Sequence, residues 1–518
     1  MIDNFPAVGL EREDINPAIR AFGRRFYKDQ TPLEYLAEFL LCFNAEKFYD
    51  EANMGAGIPE LASVPQKSLS YRPESRIALK LFSFFPSSKL ETRHPVHVKR
   101  FKQLIEDMSA AVETDFDGDK KRAVRVLQQL FSGFVGVAGQ RTWVTHSFIP
   151  ASRHLLSREV DWRHTDAINA NVDEWDTAQS HFTTGSHNFM ARGGEMLFLQ
   201  LWHALRAKDS VEIAQWLESE YAYIDWPEVS QSAIEGLDSL VIEIDAPLAR
   251  LGSVIEWAGR EAPAIEEMRE KQKFGWIHRE SWREAALFAW EIANITASGQ
   301  DPLRKVRVLQ NLCCMHVLRS LCFQAVRWVR AMGELGAAGD GFAGGYAWIT
   351  AGPHGGTSSD LGKVSNASVS AIEELLFKAV RSTALPKHSA PNGGEDRADL
   401  ADAHGYKLFR SLGKHIGLII PRQGPMRFSL SSSLVETAVA ALIPPGERLP
   451  FDEFLWRLYR HFGIAVGPAQ IEAAAGMQSA GFHLAPRNDC AAWLEDELKR
   501  GGLLIALSDA TPLVANPA

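Results

Sequence analysis

Cysteine is scarce and scattered in this 518-residue chain: Cys42, Cys313, Cys314, Cys322 and Cys490 are the only five, and no two form a CxxC pair. That excludes a disulfide framework and a thiolate zinc site, and it suits a reducing compartment. No apolar run reaches the roughly 18 uncharged residues a membrane span needs. The N-terminus, MIDNFPAVGLEREDINP, meets acids within its first dozen positions and has no apolar core segment, so it does not read as a secretory signal. The expected location is the cytoplasm, with no membrane partner. Basic charge is not in excess either. Fifty-five Lys and Arg face 64 Asp and Glu, a net charge of −9, which excludes a uniformly basic nucleic-acid coat. Apolar residues, by contrast, are plentiful. They make up 46% of the chain, with 28 Phe and 14 Trp, enough buried surface to offset the ordering entropy of a folded protein. At about 150 residues per domain, this length predicts roughly two to four domains.

Apolar spacing of three to four residues dominates the text, and the predicted fold class is mainly α. Helices are expected from Thr31 to about Met54, through HPVHVKRFKQLIEDMSAAV and KKRAVRVLQQLFSGFVGV with a polar turn between them, and, after the Gly193-Gly194 pair, over MLFLQLWHALRA. The block IALKLFSFF, 77–85, reads as buried helix rather than strand, and 141–166 as a loop-rich connector. Further helical text covers 211–217, 230–242, 247–257 and 282–295. The longest element is expected from Asp301-Pro302, an N-cap followed by proline at the first helical position, to about Met332, a strut of roughly 45 Å. From Gly333 to Ser368 the chain turns Gly/Ser-rich and reads as linker, with one helix starting at the capping-box text Ser370-Ala-Ile-Glu373 and ending near Arg381. Beyond Ile416 come a hairpin around Gln423-Gly424-Pro425, helices near 433–442, 451–462, 469–475 and 490–500, and two short strands around Ser508-Asp509. Asn488 and Asp489 stand as N-caps of the last helix. Three helices and a small hairpin give the order of a C-terminal winged helix-turn-helix. The domain reading is 1–140 N-terminal helical, 141–332 central helical, 333–402 linker with one helix, and 403–518 winged-helix-like.

Several catalytic or metal patterns begin and do not complete. The Gly-rich runs 339–345 and 352–359 could cradle phosphate, but the Gly-Lys beside them, Gly362-Lys363, has Thr357 in place of the first Walker glycine and Val364 in place of Ser/Thr. His97 and Lys99 make an HxK, yet Leu104 stands where the phospholipase-D pattern needs an acid. Glu497-Leu498-Lys499 makes an ExK on a helix rather than on a strand. Glu113, Asp115 and Asp117 open an EF-hand-like loop whose twelfth position is Val124, so calcium cannot be enclosed. The histidines His146, His154, His164, His181, His187 and His203 lack the i,i+4 spacing of a helical zinc site. No catalytic residue, metal ligand or cofactor is therefore assigned.

The predicted long helix carries Arg304, Lys305, Arg307, Arg319, Arg327 and Arg330 and no acid. At 100° per residue, His316, Arg319, Phe323, Arg327 and Arg330 share an arc of about 80°. One reading makes this a nucleic-acid face, guanidinium groups on successive phosphates with Phe323 for stacking. The other pairs these arginines with acids of neighbouring helices, for example those between Glu261 and Glu270. Lys89, Arg93, Lys99, Arg100 and Lys102, with Lys120, Lys121, Arg122 and Arg125, form a second basic patch, equally compatible with solvated helix faces. The candidate nucleic-acid residues are thus Arg319, Phe323, Arg327, Arg330, Lys99 and Arg100. The last long helix opposes DNA reading, because Glu495, Asp496 and Glu497 outnumber Lys499 and Arg500. A protein-docking role fits it better, with Arg448, Arg457, Arg460 and His461 as nonspecific backbone contacts.

Three phrases, LKLFSFFPSSKLETRHPVH (79–97), HNFMARGGEMLFLQL (187–201) and IPPGERLPFDEFLWRLYRHFGI (443–464), resemble uncharacterised bacterial proteins encoded beside ATPases and DNA-modifying enzymes in anti-phage defence loci. The resemblance covers scattered parts of the chain and carries no functional residue. It implies a subunit of a multi-protein defence complex whose partners are proteins of the same operon, an ATPase or a DNA-modifying enzyme among them. The leading expectation is a non-catalytic scaffold or adaptor with nonspecific nucleic-acid contact. Two alternatives stand beside it: a nuclease or other enzyme with a site assembled by the fold, for which His187, Arg192 and Glu195 are first suspects, and a DNA-binding transcription regulator.

Overall fold

Asp301 accepts a hydrogen bond from the Leu303 amide (2.9 Å) and Pro302 follows it, so the helix Pro302–Ala331 starts where its capping residues place it. This helix is the axis of the molecule. Against it pack the helices Pro32–Asn44, Gly193–Trp202, Trp282–Ala297, Asp360–Ala379, Tyr406–Ile416 and Ser432–Leu442. The structure, a computed structural model, describes residues 4–8, 16–23, 30–73, 94–113, 119–132, 152–153, 160–162, 171–184, 193–259, 271–334, 344–353, 360–386, 398–421, 425–477, 490–507 and 511–517. The fold is mainly helical with small sheets, as the periodicity predicts. The block at 77–85 and most of 141–166 lie outside the described residues.

One apolar core runs from Phe5 to Val514. One close contact in it involves the Gly193-Gly194 pair. A Cβ on Gly194 would stand 2.4 Å from the Tyr35 carbonyl oxygen and 2.5 Å from the Phe39 amide, so only glycine lets Gly193–Trp202 approach Pro32–Asn44 this closely. The Gly194 amide also donates to the buried Glu38 carboxylate at 2.7 Å.

Four expectations change. The helix predicted over 31–54 ends at Asn44, and Glu46–Tyr49 and Ala52–Gly55 form a hairpin instead. A distant strand, Leu69–Arg72, captures Glu46–Tyr49, and Gln272–Lys273 completes a four-stranded antiparallel sheet. The segments 230–242 and 247–257 fuse into one helix, Trp226–Gly259, with Pro247 inside it. At 34 residues it exceeds the 30 of Pro302–Ala331, which is therefore not the longest. The helix expected from Ser370 begins ten residues earlier, at Asp360, and Ser370 Oγ back-bonds to the Asn366 carbonyl inside it (3.3 Å). Finally, part of the Gly/Ser-rich stretch read as linker is core. Trp348 and Ile349 are 0% exposed, and their strand pairs in parallel with Ile464–Ala465. Glycine abundance masked the apolar run Tyr346-Ala-Trp-Ile-Thr350, which needs a partner more than 100 residues away to become a strand.

Toward the C-terminus come the hairpin Ile419–Ile420/Arg427–Phe428 and the helix Ser432–Leu442, both as expected. They are followed by strand Arg448–Pro450, helices Phe451–Phe462, Pro468–Met477 and Ala492–Arg500, and strands Leu504–Ile505 and Leu513–Ala515. The three strands make an antiparallel sheet with Leu513–Ala515 in the middle. Asn488 and Asp489, the expected caps, lie outside the described residues.

Candidate functional site

The basic stripe of the long helix does not face solvent. Arg319 is 0% exposed and grips the equally buried Glu291 of Trp282–Ala297 with two parallel bonds, Nη1 to Oε1 at 2.7 Å and Nη2 to Oε2 at 2.8 Å. Its Nη1 also donates to the His461 carbonyl (3.1 Å), and its plane lies 4.8 Å from the Phe462 ring centre. Because guanidinium has donors only, His316 Nδ1, 2.8 Å from Arg319 Nη2, must accept. That leaves His316 Nε2–H to donate to Gln200 Oε1 (3.0 Å), and Gln200 Nε2 to donate to Ser320 Oγ (2.7 Å). On the other side, Glu291 Oε1 accepts from His461 Nδ1–H (2.9 Å), so His461 Nε2 accepts the Tyr223 hydroxyl proton (2.8 Å). Burial, reinforced by Arg319, keeps the His316 imidazole well below its ordinary pKa. Burial also lowers His461 despite its hydrogen bond to Glu291. Both rings are thus neutral links in a closed network joining the helices Gly193–Trp202, Trp282–Ala297, Pro302–Ala331 and Phe451–Phe462.

The rest of the stripe follows suit. Arg327 binds Glu284 bidentately (2.9 and 2.7 Å) and donates to the Glu280 carbonyl. Phe323 is 4% exposed and meets Tyr346 edge-on. Arg330 is half-buried, its Nη2 only 2.8 Å from where a Cβ on Gly345 would stand. The nucleic-acid reading of Arg319, Phe323 and Arg327 is corrected accordingly: a guanidinium already engaged by a carboxylate in the core presents few donors to a phosphate, and Phe323 is buried, while half-buried Arg330 has no carboxylate partner among the described residues. The alternative pairing is the one found, though with Glu284 and Glu291; the acids proposed for it, 261–270, lie outside the described residues. A signal for the true partners was present. Glu284 and Glu291 are seven apart on the otherwise apolar text WREAALFAWEIANITA, and Arg327 and Arg319 are eight apart on an antiparallel neighbour, so the spacings match.

Of the three enzyme suspects, Glu195 alone lies among the described residues. His187 and Arg192 lie outside the described residues. Glu195 is 0% exposed, accepting from the Gly275 amide (2.6 Å) and the Tyr71 hydroxyl (3.3 Å), a helix-start packing role. Of the histidine-rich region, His203 is buried, stacked on Phe5 and pushed down to about 3 by desolvation. Among the described residues no group of three His, Cys, Asp or Glu is placed to hold a metal ion. Gly362 and Lys363 sit inside a helix, and Lys363 faces Asp360 at 3.3 Å. A site that motif reasoning missed is Lys47. Wholly buried, it donates to the Phe43 carbonyl (2.5 Å), lies 4.8 Å from the Phe198 ring centre, and is driven down to about 7 by desolvation.

The second basic patch has a different environment. Pro95–Ala111 and Lys120–Ser132 form a helical hairpin that buries Leu104, Met108, Ala123 and Val124. Lys99, Lys102, Lys121 and Arg125 are exposed on it and make no ion pair or side-chain hydrogen bond among the described residues. Arg100 is half-buried over the Trp175 ring (5.8 Å). At the C-terminus, the acids of Ala492–Arg500 are partly neutralised: Glu495 pairs with Lys499 (2.7 Å), and Glu497 with Arg500 (3.0 Å) and Ser432. Of the backbone contacts expected there, Arg457 and His461 are buried, Arg457 donating to the Leu442 carbonyl (2.8 Å), whereas Arg448 and Arg460 remain exposed.

No helix among the described residues is long and apolar enough to cross a membrane. Comparison with protein-family models, with curated proteins and with solved structures finds no match for this chain.

Proposed function

We propose that this chain is a non-catalytic scaffold or adaptor subunit of a bacterial, cytoplasmic anti-phage defence complex, assembling with proteins of its own operon and touching nucleic acid nonspecifically. The observation that carries the reading is the contrast in its cations. Arg319 and Arg327 of the long helix are consumed in holding the molecule together, whereas Lys99, Lys102, Lys121 and Arg125 on the helical hairpin stand exposed, with no ion pair among the described residues, in a chain of net charge −9.

The C-terminal part supplies the docking module in this reading. We read 403–518 as winged-helix-like: the helices Phe451–Phe462, Pro468–Met477 and Ala492–Arg500 precede the strands Leu504–Ile505 and Leu513–Ala515, and the last strand lies between Leu504–Ile505 and Arg448–Pro450, although Ile464–Ala465 adds a strand that pairs elsewhere, with Trp348–Ile349. Its last helix, Ala492–Arg500, keeps Glu495, Asp496 and Glu497 where a DNA reader would place cations, which favours a protein partner over a major groove. The same feature weighs against a transcription regulator.

The test is a pull-down of the tagged chain expressed with its operon neighbours, with and without nuclease treatment, read by mass spectrometry. Neighbouring gene products recovered after nuclease treatment support the adaptor role and name the partners. Recovery of the bait alone overturns it.

A further inference from the structure

We propose that Lys99, Lys102, Lys121 and Arg125 bind the phosphate backbone of double-stranded DNA without reading bases. This rests on the nucleic-acid part of the reading above and gives it a location and a substrate class. Three observations support it. First, the four side chains are exposed and engage no carboxylate among the described residues, so binding a phosphate breaks no existing ion pair there. Second, the acids of the hairpin, Glu106, Asp107, Glu113 and Asp119, lie toward its turn. Two of these are already engaged, Asp107 with Gln103 (2.9 Å) and Asp119 with the Arg122 amide (3.0 Å). Lys99 and Lys102 thus stand at the end away from these acids, whereas Lys121 stands at the turn end beside Asp119 and Arg125 lies one turn further along. Third, none of the residues described as exposed on the two helices is aromatic. Single-strand binders gain about 1–3 kcal/mol per base from stacking on such rings. Exposed ammonium and guanidinium groups such as Lys99, Lys102, Lys121 and Arg125 suit a duplex, whose bases are already stacked and whose phosphates lie closer together.

Four phosphate contacts on duplex DNA predict a salt slope of about −3.6, which is a loss of affinity of about 150-fold between roughly 50 and 200 mM salt. The experiment uses the full-length chain and fluorescence anisotropy with a random-sequence DNA duplex, a single strand of the same length, and vesicles containing phosphatidylserine. The expected result is duplex binding with that slope, weaker binding of the single strand, and a slope near zero in the quadruple variant K99Q/K102Q/K121Q/R125Q. A triple variant that keeps the charge, K99R/K102R/K121R, retains the slope, which separates lost charge from a damaged fold. Glu106→Gln, removing an exposed acid one turn beyond Lys102, strengthens binding.

An unchanged slope in the quadruple variant overturns the location. Tighter binding of the single strand, or binding of the vesicles but not of DNA, overturns the substrate class. The operon pull-down after nuclease treatment reads the adaptor role independently, since the quadruple variant leaves it unaltered if partners dock elsewhere. Failure of one proposal is therefore distinguishable from failure of the other.

Discussion

The long helix and the helical hairpin carry the same kinds of residue in opposite circumstances. On Pro302–Ala331, Arg319 and Arg327 turn toward the core and meet carboxylates set at matching intervals on Trp282–Ala297. On Pro95–Ala111 and Lys120–Ser132, Lys99, Lys102, Lys121 and Arg125 are exposed and form no ion pair among the described residues. A cationic stripe in a sequence therefore states a charge and not a partner. What decides between binding and structure is whether an acid on the facing element arrives first, and that depends on which elements face each other.

The contrast can be broken most severely at its buried end. Arg319→Met leaves Glu291 an uncompensated charge inside the core and is expected to destabilise the protein by about 3–5 kcal/mol in thermal or denaturant unfolding. Replacing both partners, R319M with E291L, should recover most of that loss, because removing the charges together removes their desolvation as well. If the single variant behaves like wild type, the network is not what holds the four helices together.

Arg327→Met sharpens the gradient from core to surface. Its side chain keeps 21% of its exposure while Glu284 keeps none. The expected cost is smaller, about 2 kcal/mol, since water can reach one side of the broken pair. A loss equal to that of Arg319→Met would show that burial of the carboxylate alone sets the scale.

Lys47 offers a third case, a buried cation bonded to a carbonyl rather than to a carboxylate. Its folded-state pKa of about 7 lies below the unfolded value near 10.4, so between these limits the unfolded chain binds more protons. Stability should therefore rise with pH across that window, by up to about 1.4 kcal/mol per pH unit. Lys47→Met should flatten the rise, measured as unfolding midpoints at a series of pH values. A flat wild-type profile would place the lysine in contact with water or with an acid.

The smallest stability effect belongs to the hairpin. The quadruple variant K99Q/K102Q/K121Q/R125Q should change unfolding free energy by no more than about 0.5 kcal/mol, as surface substitutions do, while removing the salt-dependent DNA binding. A large loss of stability would assign these side chains to the structural class after all.

Much of the helical architecture was legible because its signals are local. Asp301-Pro302 starts one helix, Gly501-Gly502 follows the end of another, and the apolar stripe of FDEFLWRLYRHF marks a third at its observed limits, Phe451–Phe462. What stayed hidden depended on distant partners. Glu46–Tyr49 looks helical until Leu69–Arg72 supplies a ladder, and Trp348–Ile349 is lost in a glycine-rich stretch until Ile464–Ala465 pairs with it. The helix at Asp360 begins without the capping-box text that was expected to start it, because its buried face, Val364, Ser365, Ser368 and Val369, is already held by the core.

The candidate site divides the same way. The sequence by itself determined that Arg319, Phe323, Arg327 and Arg330 share one helix face, since 100° per residue is a property of the backbone. It also determined that Lys99 and its neighbours form a basic cluster on helices. Only the tertiary structure decided that Arg319 and Arg327 would be paired with Glu291 and Glu284 in the core and that Lys99, Lys102, Lys121 and Arg125 would be left exposed. Helix periodicity is set within a few residues, whereas the electrostatic environment of a charge is set by whatever the rest of the chain packs against it.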